Sequence, residues 1–167
     1  MENNMSIKDA MIAFWTKAFV FKGRARRREV WLNILGNFII AFILGVIALL
    51  IDLITSDRMN LSEHYNFFVG TIFPYFTTIP AMAQASRRMQ DINMNGKIAI
   101  VLTVAATLLE FVFNRIMPLF NAKLTGNSTT LVIISLILAI PMLFLFIVNF
   151  INGNEGDNKY GKDPKRV

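Results

Sequence analysis

Long apolar runs alternate with short polar segments along the chain, and this pattern predicts four membrane-spanning helices. A spanning helix needs about 20 mostly apolar residues to cross the hydrocarbon core of a bilayer, which is roughly 30 Å thick. Four segments have this character, at residues 30–52, 66–85, 98–117 and 130–151. None has a polar face wide enough to meet water, which disfavours a soluble bundle. Because backbone groups in lipid must pair internally, we predict an all-α, polytopic membrane bundle that forms one domain over residues 1–167.

The second and fourth segments contain prolines, at positions 74, 80 and 141. Prolines kink a spanning helix rather than exclude it, because neighbouring helices and threonine hydroxyls can satisfy the carbonyls that they free. Thr77 and Thr78 lie between the two prolines of the second segment. We therefore expect these hydroxyls to bond the freed carbonyls.

The third segment is the weakest of the four, because Glu110, Asn114 and Arg115 interrupt it. An ionisable residue inside a span is commonly a proton or cation site, which makes Glu110 a candidate. The alternative is a carboxylate near the outer third of the membrane that pairs with Asn114, four residues on, or reaches the interface.

A different kind of helix precedes the first span. Apolar residues recur at spacings of three and four over residues 6–21, and Ser6 with Asp9 makes a capping-box start. Charged residues within the segment forbid spanning. We expect an amphipathic helix in the membrane interface with Trp15 at headgroup level, or else a short helix packed on the cytosolic ends of the bundle.

Charge sets the orientation. The chain has 17 Lys and Arg against 11 Asp and Glu, and a net charge of +6. Fourteen of the basic residues fall before the first span, between the second and third, or in the tail 152–167, whereas Arg58, Arg115 and Lys123 occupy the other side. The positive-inside rule then places both termini and the middle loop in the cytoplasm. Because the basic residues flank uncharged runs, a nucleic-acid partner is disfavoured.

Catalysis has the least support in the residue content. The chain has no cysteine, and its one histidine, His64, has no second histidine to complete a metal site. No phosphate-binding loop or nucleophile elbow is present. We therefore expect no catalytic residue, no metal site and no cofactor.

Three polar segments abut the cytosolic ends of the predicted spans, at residues 21–31, 86–97 and 156–164. In this order they resemble the Phe-x-Gly-Arg entry, the Arg-Arg middle loop and the Asn-x-Tyr-Gly-x-Asp-Pro tail of small bacterial inner-membrane proteins catalogued as domain of unknown function 805. The resemblance covers nearly the whole chain and implies a four-helix protein of the bacterial plasma membrane, with no established activity. The matching residues form a candidate cytosolic polar cluster: Phe21, Gly23, Arg24, Arg27, Glu29, Trp31, Arg87, Arg88, Asp91, Gly96, Asn158, Tyr160, Gly161, Asp163 and Pro164.

The chain departs from the family pattern at four other positions within these three segments. Gln90 replaces the family's usual histidine, Met89 a leucine, Asn95 a serine and Val30 an aromatic residue. An amide does not titrate, so Gln90 has no proton-shuttle role.

Two functions remain for such a membrane protein. In the first, it is an interaction or scaffold module whose basic cytosolic face binds anionic lipid headgroups, a protein partner or a second copy of itself. The arginines at 24, 27, 87 and 88 then either anchor the chain to lipid or pair with Asp91, Glu29 and Asp163 in one plate that fixes how the spans pack. In the second, it is a small oligomeric transporter or channel that uses Glu110 and the Arg/Asp cluster.

Single cysteines test the predicted topology, because the parent chain gives no background labelling. We expect a membrane-impermeant maleimide added to intact cells to label Ser62→Cys and Asn127→Cys, and to label Asn95→Cys and Asn154→Cys only after permeabilisation. Labelling of position 95 or 154 in intact cells would contradict the orientation.

Overall fold

The computed structural model describes residues 5–55, 58–112 and 128–164. This part of the chain is helical and holds no strand, only an isolated antiparallel bridge between Asn158 and Gly161. The predicted all-α class is confirmed for these residues. In chain order the helices are α1 Ile7–Thr16, α2 Arg27–Thr55, α3 Leu61–Phe67, α4 Phe73–Asp91, α5 Lys97–Phe111 and α6 Ser128–Val148, and a π-helical turn, Phe68–Ile72, joins α3 to α4. The end of the predicted third span, with Asn114 and Arg115, lies outside the described residues, as do Lys123 and Asn127.

Helix α2 has the length and composition of a membrane-crossing helix. Its 29 residues rise about 44 Å, more than the hydrocarbon core requires. Leu53 is 77% exposed and Ile54 is 81% exposed, so an apolar solvent must cover this surface. Among the described residues α2 alone meets both conditions, and Ala139–Val148 within α6 is a shorter apolar stretch. The count of four spans stays a prediction.

Helix α1 begins as predicted and ends earlier. The hydroxyl of Ser6 accepts a hydrogen bond from the Asp9 backbone N–H, and the Asp9 carboxylate accepts one from the Ser6 N–H, both at 3.1 Å. The helix ends at Thr16 instead of continuing to residue 21. Its buried face packs on α2 at Gly36, where a Cβ would run into the side chain of Met11. Its placement in the membrane interface stays a prediction.

The prolines of α4 are accommodated differently from the sequence expectation. Pro74 lies in the first turn and Pro80 inside the helix. The hydroxyls of Thr77 and Thr78 both donate to the Pro74 carbonyl, at 3.1 and 2.8 Å. The expectation that they satisfy the carbonyl freed by Pro80 is wrong, because that carbonyl belongs to Phe76. A threonine hydroxyl reaches back three or four residues along a helix, and Phe76 is too close in sequence to be reached.

The tightly packed interior lies around the C-terminal half of α4. Met89, Ala99 and Val148 form its apolar centre. The largest fully buried side chains of the described residues are nevertheless Arg88, Met89 and Ser86, two of which are polar. Because burying a charge away from water is costly, this end of α4 must supply compensating partners.

Candidate functional site

The C-terminal end of α4 carries polar side chains that point into the protein. Arg87, Arg88, Gln90 and Asp91 are each 5% exposed or less. Two of them are cations, which suits the partial negative charge at a helix C-terminus. The charged residues here, together with three from other segments, form what we term the buried charge cluster: Arg24, Glu29, Arg87, Arg88, Asp91 and Asp163.

Asp91 joins two arginines from different parts of the chain. Its Oδ1 accepts from Arg24 Nε at 2.9 Å, and its Oδ2 accepts from Arg88 Nη1 at 2.5 Å. The second amino group of Arg88 donates to the carbonyl of Ile151, just beyond the end of α6. The Asp91 backbone carbonyl accepts from the Asn154 N–H at 2.9 Å. Asp91 therefore connects three parts of the chain: residues 21–26 before α2, which we term the entry segment, helix α4, and the tail after α6.

Arg24 extends this connection into the tail. Its Nη1 donates to the Gly156 carbonyl at 2.6 Å, and its Nη2 donates to the Asn154 carbonyl. The side chain is 1% exposed, so its charge is compensated within the protein and not by water. Because these acceptors are backbone carbonyls, the tail must hold one conformation for the guanidinium to be satisfied.

Arg87 ties the segment between α1 and α2 to α4. Its Nη1 donates to the carbonyls of Lys17 and Val20 at 2.8 and 2.7 Å, just beyond the C-terminal end of α1. Its Nη2 contacts Glu29 Oε1 at 3.5 Å, and its backbone carbonyl accepts from the Ala25 N–H at 3.2 Å. The N-terminal helix is thus anchored to α4 through one arginine fork.

The cluster balances its own charge. It holds three arginines and three carboxylates, and Asp163, 4% exposed, accepts from the Gly156 N–H at 2.9 Å. Burial lowers the pKa of Arg87 and of Arg88, while Glu29 and Asp91 oppose that lowering. Guanidinium groups nevertheless stay protonated at physiological pH, and each of the three lies within 3.5 Å of a carboxylate oxygen.

Beside the cluster lie two exposed arginines, Arg27 and Arg28, which we term the basic rim. Arg27 and Arg28 are exposed and line a cavity of about 270 Å³, whose other walls include Arg24, Asp91 and Asp163. The sequence left two alternatives for Arg27, lipid anchoring or pairing within the plate. The structure places it on this rim, where its charge further lowers the pKa of Arg88. Arg27 opens α2, so its side chain starts at the surface of the helix end.

Gln90 acts as a cross-link between segments. Its Nε2 donates to the Phe21 carbonyl at 2.7 Å, its Oε1 accepts from the Gly23 N–H at 3.1 Å, and its backbone carbonyl accepts from Asn158 Nδ2 at 2.9 Å. A Cβ on Gly96 would overlap the Gln90 amide. The amide that stands in the place of the family's histidine is thus fully used in holding three segments together.

The remaining predicted residues shape the tail and its support. Asn158 and Gly161 exchange backbone hydrogen bonds of 3.1 and 3.0 Å, and Gly161 has φ +141°, which disfavours a side chain. Tyr160 lies under the Lys159 ammonium, 5.0 Å from it. Trp31 lies apart from the charges, where its Nε1 donates to the Asn149 carbonyl at 3.1 Å. Pro164 lines the 270 Å³ cavity.

Gly153 is a site residue that the sequence analysis missed. A Cβ at this position would overlap the Asp91 carboxylate, so only glycine lets the tail approach the cluster this closely. Its place two residues beyond a long apolar run was a signal for a turn, but nothing in the sequence tied that turn to Asp91.

Glu110 lies away from the cluster. It is exposed on α5 and lines a cavity of about 220 Å³ with Tyr75, Thr78 and Thr107, beside the π-helical turn. Its predicted partner Asn114 is outside the described residues. No group of three or more histidines, cysteines or carboxylates suited to a metal occurs in the described part of the chain.

Comparison with known proteins covers these motifs, except for Asp163 and Pro164 at the end of the last one. A family model described as protein of unknown function (DUF805) matches residues 18–162, which span the entry segment, the end of α4 and the tail. The chain belongs to the DUF805 family. It is 28% identical to the inner membrane protein YhaI of Escherichia coli K12 and 27% identical to YhaH of the same strain, each over 145 residues and 87% of this chain. The alignments cover 86% of YhaI and 87% of YhaH.

No solved structure matches the chain. The DUF805 relatives nevertheless confirm the predicted family, and this chain, like them, is a membrane protein of unknown function. The buried charge cluster therefore gives a structural account of motifs that define this DUF805 protein.

Replacing Asp91 tests the cluster. Asp91→Asn keeps the shape of the side chain but leaves Arg24 and Arg88 without their counter-charge. Removing one partner of a buried ion pair costs about 3–5 kcal/mol, so we expect a large fall in the free energy of unfolding of the protein in detergent. The exposed Glu155→Gln has the same change of charge and should alter stability by less than about 0.5 kcal/mol. Equal stability of the two variants would show that the cluster contributes little.

Proposed function

We propose that this protein is a membrane-embedded interaction module of the bacterial inner membrane, whose basic cytosolic rim binds the phosphates of anionic lipids. The observation that carries the proposal is the division of charge between the buried charge cluster and its rim. The cluster holds three arginines and three carboxylates, and each arginine forms an ion pair with Asp91 or Glu29. The exposed Arg27 and Arg28 add positive charge that these carboxylates do not balance.

The topology in this proposal has four spans, both termini in the cytoplasm and α1 in the interface. Contacts of the cluster support it. Arg24 bonds Asp91, and Asp91 bonds Asn154, so the entry segment, the loop after α4 and the tail share one side. The chain must then cross the membrane an even number of times before Asp91 and again after it. Two crossings in each half satisfy this condition.

The position of the rim supports lipid as the partner. Arg27 and Arg28 begin α2, which continues directly into the apolar run, so their side chains lie at headgroup depth if α2 spans the bilayer. A cavity of about 270 Å³ beside them is large enough for a phosphate group and is walled by further guanidinium groups. Each such arginine contributes about 1 kcal/mol to the binding of an anionic surface.

Lipid titration tests the proposal. We expect Arg27→Gln/Arg28→Gln to weaken the binding of phosphatidylglycerol about 30-fold, from about 2 kcal/mol of lost attraction, and to leave phosphatidylcholine binding unchanged. Native mass spectrometry of the purified full-length protein in neutral detergent measures both lipids.

The matched control is Lys97→Gln/Lys159→Gln, which removes two exposed positive charges on the same side of the protein but away from the rim. This control should keep most of the phosphatidylglycerol affinity. If the two double variants lose affinity equally, the rim is not a lipid site, and co-purified protein on the parent would point to a protein partner instead.

A small transporter or channel is the second candidate, and the surroundings of Glu110 favour it. The carboxylate shares a cavity with the hydroxyls of Thr78 and Thr107, beside a π-helical turn. Such turns are frequent at functional sites, and ionisable residues in spans commonly mark ion pathways.

Proton flux separates the two candidates. If the protein is an interaction module, vesicles that contain the parent and vesicles that contain Glu110→Gln acidify at the same rate under an imposed pH gradient, as a trapped pH-sensitive dye reports. A flux in the parent that Glu110→Gln abolishes and the exposed control Glu63→Gln retains would establish transport instead.

A further inference from the structure

Another cavity lies between α2, α4, α5 and α6, apart from the buried charge cluster. Its volume is about 430 Å³, within the range of about 300–1,000 Å³ that is common for small-molecule sites. No charged side chain lines it among the described residues. Its polar lining consists of amides and hydroxyls: Asn33, Asn37, Thr77, Gln84, Thr103 and Asn149.

A directed chain of amides runs along one wall. Asn37 Nδ2 donates to Asn33 Oδ1 at 2.9 Å, and Asn33 Nδ2 donates to Gln84 Oε1 at 3.4 Å. Asn33 and Gln84 are both 5% exposed. Because Asn33 and Gln84 each use the side-chain oxygen to accept from the preceding amide, the Nε2 group of Gln84 is the donor left at the end of this chain.

The Nε2 group of Gln84 is buried and has no hydrogen-bond partner in the described part of the protein. A donor removed from water without an acceptor loses its solvation, and native proteins rarely leave one so. Since Gln84 lines the cavity, an acceptor held there would satisfy it. The remaining walls include Val30, Ile34 and Leu145, which suit an apolar molecule.

The cavity opens on the apolar flank of the bundle. Ile34 and Met142 line it and are each 42% exposed, on a surface that an apolar solvent must cover. A ligand that enters there comes from the lipid phase. Because no charged side chain lines the cavity, an ionic ligand would find no counter-charge there, so the ligand should be uncharged.

We propose that this cavity binds an uncharged, lipid-soluble molecule whose carbonyl oxygen accepts a hydrogen bond from Gln84 Nε2. Two kinds of membrane molecule carry such a carbonyl: glycerol esters and quinones. The site is independent of the basic rim, because none of the rim arginines lines it.

Three probes test whether a carbonyl is required and whether it belongs to a glycerol ester or a quinone. They are dioleoylglycerol, its dialkyl ether analogue without carbonyls, and decylubiquinone. Native mass spectrometry titrations of the purified full-length parent measure their affinities. We expect dioleoylglycerol or decylubiquinone, or both, to bind, and the ether analogue to bind about tenfold more weakly than dioleoylglycerol if the ester is the ligand.

Gln84→Leu removes the donor and keeps most of the side-chain volume, and it should weaken the binding of the carbonyl probe about tenfold. Ala81→Leu keeps Gln84 but narrows the cavity that Ala81 lines, and it should weaken binding as well. Asn66→Leu makes the same kind of amide-to-leucine change at an exposed position outside the cavity and should bind like the parent.

A cooperative thermal unfolding transition shows that a variant is folded. If Gln84→Leu does not fold, Ala81→Leu provides the test. Tighter binding of dioleoylglycerol would identify a glycerol ester as the ligand, and tighter binding of decylubiquinone would identify a quinone. Either result supports the proposal if the cavity variants lose that binding. Absence of binding by both carbonyl probes, or equal binding by the parent and the folded cavity variants, would overturn it and leave a water-filled cavity.

Discussion

The structure depends on the pairing of Asp91 with two buried arginines. Arg24 arrives from the segment before α2 and Arg88 from α4, and carbonyls of the tail accept further hydrogen bonds from both guanidinium groups. Taking these charges out of water is costly, and only the complete set of partners repays it. The cluster therefore favours one arrangement of the entry segment, α4 and the tail over any in which one of them is displaced.

Because the arginines of the cluster pair with carboxylates inside the protein, the arginines of this part of the sequence have two different roles. Arg24, Arg87 and Arg88 are consumed in binding carboxylates and helix-end carbonyls, so they are poorly placed to hold a ligand. Arg27 and Arg28 project from the start of α2 and keep their charge available at the surface. A basic juxtamembrane motif thus contains both the scaffold of the site and the groups that are free to bind a membrane.

Polar side chains occur at several places in the apolar bundle, and these places differ in how completely the polar groups are hydrogen-bonded or ion-paired. Each arginine of the charge cluster meets a carboxylate, although Arg87 Nε and Arg88 Nε have no hydrogen-bond partner among the described residues. The amide chain of Asn37, Asn33 and Gln84 ends in an unpaired donor beside a cavity. Glu110 faces a third environment of hydroxyls. Because an unpaired polar group is costly in an apolar medium, a molecule that accepts a hydrogen bond from Gln84 Nε2 gains from satisfying it.

The sequence by itself determined the helical class, the family, the capped start of α1 and the residue types of the charge cluster, because apolar run length, capping motifs and basic clusters are local signals. The family resemblance named every member of the cluster, but it left open whether Arg27 pairs within it and passed over Gly153. Only the tertiary structure decided which arginine meets which carboxylate, that Gln90 links three segments, and that Asn33 and Gln84 meet across helices. Apart from the pair Arg88 and Asp91, which are three positions apart, these contacts join residues more than 50 positions apart. A pairing at that range is fixed by how helices pack and not by any spacing along the chain.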